Sequence, residues 1–156
     1  MKIFMKIDDI KGSATDNKYK GCIELESFNL SVSAPSPMIS GSMGCRKYST
    51  SEFSSPTFTK KVDKASGGLF NHATSNAVIP EVVVTFTDGK TDYLKYTLSN
   101  VIITHREVQA HNGVGVIESG TLSYTKIVET YTEANAMGRS QAPFTSGYDL
   151  ATAEQI

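Results

Sequence analysis

The side chains best able to do chemistry are three histidines, two cysteines and scattered carboxylates. His72 lies in a stretch of helical periodicity, His105 in a strand-like one and His111 in a turn, and none has a Cys, Asp or Glu at a metal-site spacing. His105 and Glu107, two residues apart, point to one side of a strand. Cys22 and Cys45 lack the flanking pattern of a nucleophile, and a domain of this size needs no staple, so both are read as reduced thiols. The Ser-rich loops hold no G-x-S-x-G turn. Gly113-Val114-Gly115 is half a dinucleotide fingerprint and falls in a hairpin. Asn29-Leu30-Ser31 spells a glycosylation acceptor that means nothing without a signal peptide. No two carboxylates are placed to share acid–base work. The residues therefore predict no enzyme, with no catalytic, cofactor-binding or metal-ligating set.

The surrounding elements are mostly strands. Ile3, Met5 and Ile7 alternate with Lys2, Phe4 and Lys6, and a polar loop, KGSATDNKYKG, follows. From Cys22 to Ser33 the apolar parity switches between Leu25 and Phe28, which predicts a bulge or bend near Glu26-Ser27. Beyond it, Ser27, Asn29 and Ser31 make a face of small polar side chains, which simple solvent exposure also explains. Residues 34–55 form a long Ser/Pro/Gly-rich loop dotted with Met38, Ile39, Met43 and Phe53. Apolar residues on such a loop either contact another subunit or fold back onto their own barrel.

Thr57 to Asn76, TFTKKVDKASGGLFNHATSN, is the organising stretch. It opens as a strand with Phe58, Lys60 and Val62 on one face, then changes period. Asp63 or Ser66 can cap a helix over about residues 64–75 whose apolar stripe is Ala65, Leu69 and Ala73, with Phe70 beside it. Gly67 and Gly68 each weaken that helix by roughly 1 kcal/mol relative to Ala. Packing must hold it against a sheet.

Val82, Val84 and Phe86 then lead into a hairpin at Asp88-Gly89, and Tyr93 to Leu98 pairs back. Parity breaks again at Ser99-Asn100, and HNGVG turns around Asn112-Gly113. ESGTLSYTKIVETY reads as one closing strand with Leu122, Tyr124, Lys126 and Val128 on a single face. The fold class is mainly β: a two-sheet β-barrel of seven or eight strands with one short flanking α-helix and a long loop. Residues 1–133 are read as one domain and 134–156 as a C-terminal tail ordered only by a neighbour.

Composition narrows the partners. With 15 basic and 16 acidic residues among 156 there is no electrostatic footprint for nucleic acid or anionic lipid. No apolar run approaches the ~20 residues of a membrane helix, and the amino terminus is too short for a signal-peptide core. Folding in the cytosol, with any export by a route that ignores signal peptides, is the expectation.

Four stretches in register then carry a resemblance spanning roughly residues 3–131: IFMKIDDIKGSATDNKYKGCIELESFNLSVS, TFTKKVDKAS, YLKYTLSNVIIT and ESGTLSYTKIVETY. They resemble the haemolysin-coregulated protein (Hcp) family, the tube subunits of bacterial type VI secretion systems. Ser66-Gly67-Gly68 stands where that family usually has a proline, and Phe28 and Leu30 where tryptophans are common. The resemblance implies homohexameric rings stacked into a hollow tube inside a contractile sheath, with baseplate and spike proteins as further partners and effectors in the lumen. It implies bacterial cytoplasm first, then delivery outside or into target cells. On that reading Pro37, Met38, Ile39 and Met43 become the ring-stacking loop and Ser27, Asn29 and Ser31 the lumen face. A small-ligand-binding β-barrel and a phage-type tail tube subunit are the alternatives.

Overall fold

In the computed structural model, residues 1–34 and 51–156 are described. The chain is mainly β with a single α-helix among these residues. β1 (Lys2–Ile7) pairs antiparallel with β2 (Ile23–Leu25) on one side. On its other side lies β7 (Ile79–Thr87), which in turn pairs with the first half of β8 (Asp92–His111). A smaller sheet joins β3 (Ser27–Asn29), β6 (Thr57–Lys61), β9 (Gly115–Ser123) and the second half of β8. A separate ribbon pairs β4 (Val32–Ser33) with β5 (Glu52–Phe53).

Three parity breaks turn two sheets into one closed body. The break expected near Glu26-Ser27 is where the chain leaves β2 in the large sheet and enters β3 in the small one, with Glu26 N–H donating to the Thr59 carbonyl at 2.8 Å. At Asn100, whose φ is +52°, β8 passes from large sheet to small. Asn is one of the few non-glycine residues that tolerates this left-handed conformation. The third break corrects the sequence reading: ESGTLSYTKIVETY is two strands, β9 and β10 (Lys126–Tyr131), separated at Tyr124-Thr125. Leu122 and Ile127 are therefore both buried, whereas unbroken alternation puts them on opposite faces.

The C-terminal stretch, read from sequence as a tail, adds two more strands. β11 (Phe144–Asp149) pairs along the whole of β10, and β12 (Glu154–Gln155) pairs with β11. Small polar residues hid this pairing because their alternation carries no apolar signal. With β2, β3 and the short β4 and β5 also separate, the described residues form twelve strands rather than the seven or eight expected.

Between the sheets sits one apolar core built from Met5, Ile23, Phe58, Leu98, Ile103 and Leu122, among others. Phe28 lies 6.0 Å from Phe86 and 6.1 Å from Tyr96, centroid to centroid. β1 is covered on its back as well. Phe4, assigned by alternation to the polar side, is buried and stacked on Tyr19 at 4.4 Å, because the loop after β1 folds over that face. The Tyr19 hydroxyl and the Lys18 amine both donate to Asp92, anchoring the loop. Burial pushes the Asp92 carboxyl up, but these bonds outweigh it and hold the carboxyl below its ordinary value. Cys22 is a free thiol buried in the same cluster, and burial pushes its pKa up. Cys45 lies outside the described residues.

The helix, α1 (Ser66–Ser75), begins two residues later than expected and ends at Asn76 in the left-handed conformation. Ala65 and Leu69 are buried and Ala73 packs against the core, as the stripe predicts. Phe70 does not join them and is 54 % exposed. Gly68 has a packing reason: a Cβ there would lie 2.9 Å from Ile10 Cγ2. Gly120 has a stronger one, since its Cβ would sit 2.5 Å from Phe58 Cζ, in the middle of the core. We predict that Gly120→Ala lowers unfolding free energy by about 1–3 kcal/mol through overpacking, measured by denaturant titration; an unchanged midpoint would show that the Phe58 ring moves aside freely.

Candidate functional site

β6 is a strand with two unlike faces. Its outward residues are Thr57, Thr59 and Lys61, and its inward ones are Phe58 and Lys60. Pairing registers extend the outward face across four strands: Ser27, Thr59, Ser119 and Glu107 stand in one row, and Asn29, Thr57, Thr121 and His105 in the next. Cross-strand neighbours on one face lie within reach of one another. Ser27 Oγ and Thr59 Oγ1 are 2.6 Å apart, and His105 Nε2 lies 3.8 Å from Glu107 Oε2. The result is a smooth wall of short hydroxyl and amide side chains with few charges. These two rows can exchange hydrogen bonds with water or a polypeptide, and in the next row Lys61 stands opposite Ile117, which is 44 % exposed.

Ser27 and Asn29 are exposed on this side, Ser31 is exposed just beyond β3, and Phe28 and Leu30 pack against the core. Sequence reasoning found the first strand of the wall and missed the rest, because the rows are set by pairing between different segments, with Thr57 and Thr59 of β6 joined to Asn29 and Ser27 on one side and to Thr121 and Ser119 on the other. Pro37, Met38, Ile39 and Met43 lie outside the described residues. Among the described residues, no group of three or more His, Cys, Asp or Glu side chains gathers to hold a metal ion. No helix there is long and apolar enough to cross a membrane.

Beneath the wall is a buried polar cluster that the sequence did not disclose. Lys60 and Glu118 stand directly opposite each other on β6 and β9, and both side chains are 0 % exposed. Lys60 Nζ lies 3.0 Å from Glu118 Oε2 and 2.8 Å from Asp63 Oδ1, and donates to the Lys61 carbonyl at 2.8 Å. Glu118 Oε2 also accepts from Ser66 Oγ at 2.6 Å, and Oε1 accepts from Arg106 Nε at 2.6 Å. One carboxylate thus ties together β6, β8, β9 and the first residue of α1.

That turn is pinned locally as well. Asp63 Oδ1 accepts from Ala65 N–H at 2.9 Å and Ser66 Oγ from Asp63 N–H at 3.1 Å, so the two expected capping residues brace the entry turn while Ala65 itself holds the N-cap position. Asp63 and Ser66 were legible as cap candidates and Lys60 as an inward position. Nothing nearby marked Glu118 as their partner.

Burial alone pushes the Glu118 carboxyl up; hydrogen bonds from Ser66, Lys60 and Arg106 outweigh it and leave the carboxyl below its ordinary value. A lowered folded-state pKa stabilises the fold at pH above the unfolded value, and that contribution disappears as pH falls through the folded one.

The family model described as "Type VI secretion system effector, Hcp" matches residues 4–131. The chain belongs to the Hcp family. Its fold agrees with solved structures. Hcp1 from Salmonella typhimurium is 28 % identical with a TM-score of 0.80, covering 99 % of this chain and 98 % of that one. A structure described as a type six secretion system protein is 21 % identical at TM-score 0.92, with 99 % of both chains covered. A type VI secretion system effector from Yersinia pestis is 23 % identical at TM-score 0.77, covering 94 % of this chain and 98 % of that one. No curated protein gives a significant match. The Hcp family is one of structural, secreted tube proteins rather than enzymes. Within this Hcp fold the TFTKKVDKAS segment supplies Lys60, Asp63 and Ser66 of the buried cluster.

Glu118→Gln is expected to lower unfolding free energy by roughly 3 kcal/mol at neutral pH, because it leaves Lys60 short of a buried counter-charge. It should also flatten the acid limb of the stability profile below about pH 4.3, the ordinary glutamate value. Denaturant titrations from pH 3 to 7 check both. A variant as stable as the native chain, with the same acid limb, would remove the cluster from any structural role.

Proposed function

We propose that this protein is a subunit of the type VI secretion inner tube: six copies close into a ring, rings stack into a hollow tube, and effectors travel in its lumen. The observation that carries the reading is the family match over residues 4–131. The wall on Ser27, Asn29 and the facing threonines and serines supports it, since a transport channel calls for a surface that wets without gripping. Ser31 extends that wall. Sheath, baseplate and spike proteins are the partners on this reading, the cytoplasm is the site of assembly, and export proceeds without a signal peptide. The protein works by shape and reversible assembly. Contacts within a ring are larger and more apolar than those between rings, so that the tube transmits force yet comes apart after delivery.

A ligand-binding barrel would need a lined cavity between the sheets. Those positions are filled by Met5, Phe58, Leu98, Ile103 and Leu122, and the described clefts lie at the surface. A phage-type tail tube shares the same ring logic.

Light scattering on a sizing column, with the same fraction imaged by negative-stain microscopy, tests the reading. The expected result is six times the 16.9 kDa subunit mass and open rings. A monomer at every accessible concentration would overturn it. Replacing both Met38 and Ile39 with Asp should leave rings intact and reduce stacking; unchanged stacking, or loss of the rings themselves, would move those residues out of the ring-to-ring contact.

A further inference from the structure

Two surface regions outside the polar wall carry exposed aromatic side chains, and their chemistry is complementary. The first surrounds the outer end of the buried cluster. Arg106 is held by its Nε on Glu118, its guanidinium carbon lies 5.6 Å from the centre of the Phe70 ring, and its side chain is 19 % exposed. Phe70 and Val108 beside it are exposed. Arg106 is thus fixed in direction before any partner arrives, with no other bond from its terminal nitrogens among the described residues. An arginine and an aromatic side chain ordered in this way are typical of the residues that dominate protein interfaces.

The second region lies where β10 and β11 run on past the small sheet. Tyr131 and Phe144 stand opposite each other on the core-side face, and Phe144 is 66 % exposed. One rung away a shallow cleft of about 290 Å³ opens between Phe53, Tyr148 and Glu129. Among the described residues no lysine or arginine lines the cleft, and Glu129 is an exposed carboxylate beside the Tyr96 hydroxyl. A partner bringing a fixed guanidinium and an aromatic ring would satisfy both features, and the first region carries both.

We infer that the Arg106–Phe70 patch of one copy docks against the Glu129–Tyr131–Phe144 face of the next, making the head-to-tail contact that closes the ring. This inference rests on the tube reading above. Because the two patches are different surfaces of one chain, the contact is heterologous, and each copy is left with one free patch of each kind until rotation closes the circle. Arg106 is a positioning anchor set by Glu118, and a bidentate bond to Glu129 supplies direction while Phe70 and Phe144 supply apolar area.

The test mixes two variants at exposed positions, Phe70→Asp and Phe144→Asp. Each alone is expected to lose the ring and run as a monomer. Mixed in equal amounts they should give a species of two subunits and nothing larger, since the mixture retains one intact pair of patches per couple. Val108→Asp with Tyr131→Asp repeats the design and guards against a folding defect in the first pair. Rings formed by either variant alone, or a mixture that stays monomeric in both designs, would overturn the pairing while rings of the native protein left the tube reading standing. A monomeric native protein would overturn both.

Discussion

The Lys60–Glu118 pair is the constraint on which the small sheet and the helix both depend. A lysine and a glutamate removed from water are tolerable only when each is met by further polar partners, because burying an unpaired charge is far costlier than the pair's own attraction repays. Here the partners come from everywhere nearby: Asp63 from the turn after β6, Ser66 from the start of α1, and Arg106 from β8. The geometry of four elements is therefore fixed at one point. An apolar core alone would tolerate small slides of helix against sheet; a carboxylate with three donors does not.

The helix shows why such a point is needed. Its first turn carries Ser66, Gly67 and Gly68, poor helix formers, and no side chain caps it at Ala65. Gly68 is nonetheless the residue that lets the helix approach Ile10, and Ser66 is the one that reaches Glu118. Local helical preference is given up for two tertiary contacts. The bond from Ser66 and the burial of Leu69 compensate, which makes the helix a part of the barrel's closure rather than an appendage.

The barrel's two faces divide the work. The outward side of the small sheet is mostly polar along the rows through Thr57 and Thr59, whereas the inner faces are apolar where the two sheets meet and carry Lys60 and Glu118 where the helix covers them. On the proposed tube reading, a subunit that assembles through some surfaces and passes cargo over others needs that separation. The near-balanced charge suits the same reading, since many copies packed together would repel one another if each carried a large excess of one sign.

The sequence by itself determined the β-rich class, the single helix, its Ala65–Leu69 stripe, the turns at Asp88-Gly89 and Asn112-Gly113, and the breaks in alternation at Glu26-Ser27 and Ser99-Asn100. Each rests on spacing within one segment, where a period of two or of 3.6 and a break in it are directly visible. It also disclosed the family, through four stretches in order, and the first strand of the polar wall. Only the tertiary structure decided that Lys60 meets Glu118, that Phe4 is covered from behind, that Phe70 stays outside, and that Phe144–Asp149 completes a sheet. Those outcomes depend on which distant segment lies alongside, and a polar residue has the same signature in sequence whether it faces water or a buried partner. Register and burial are properties of pairs of segments, so no single segment can carry them.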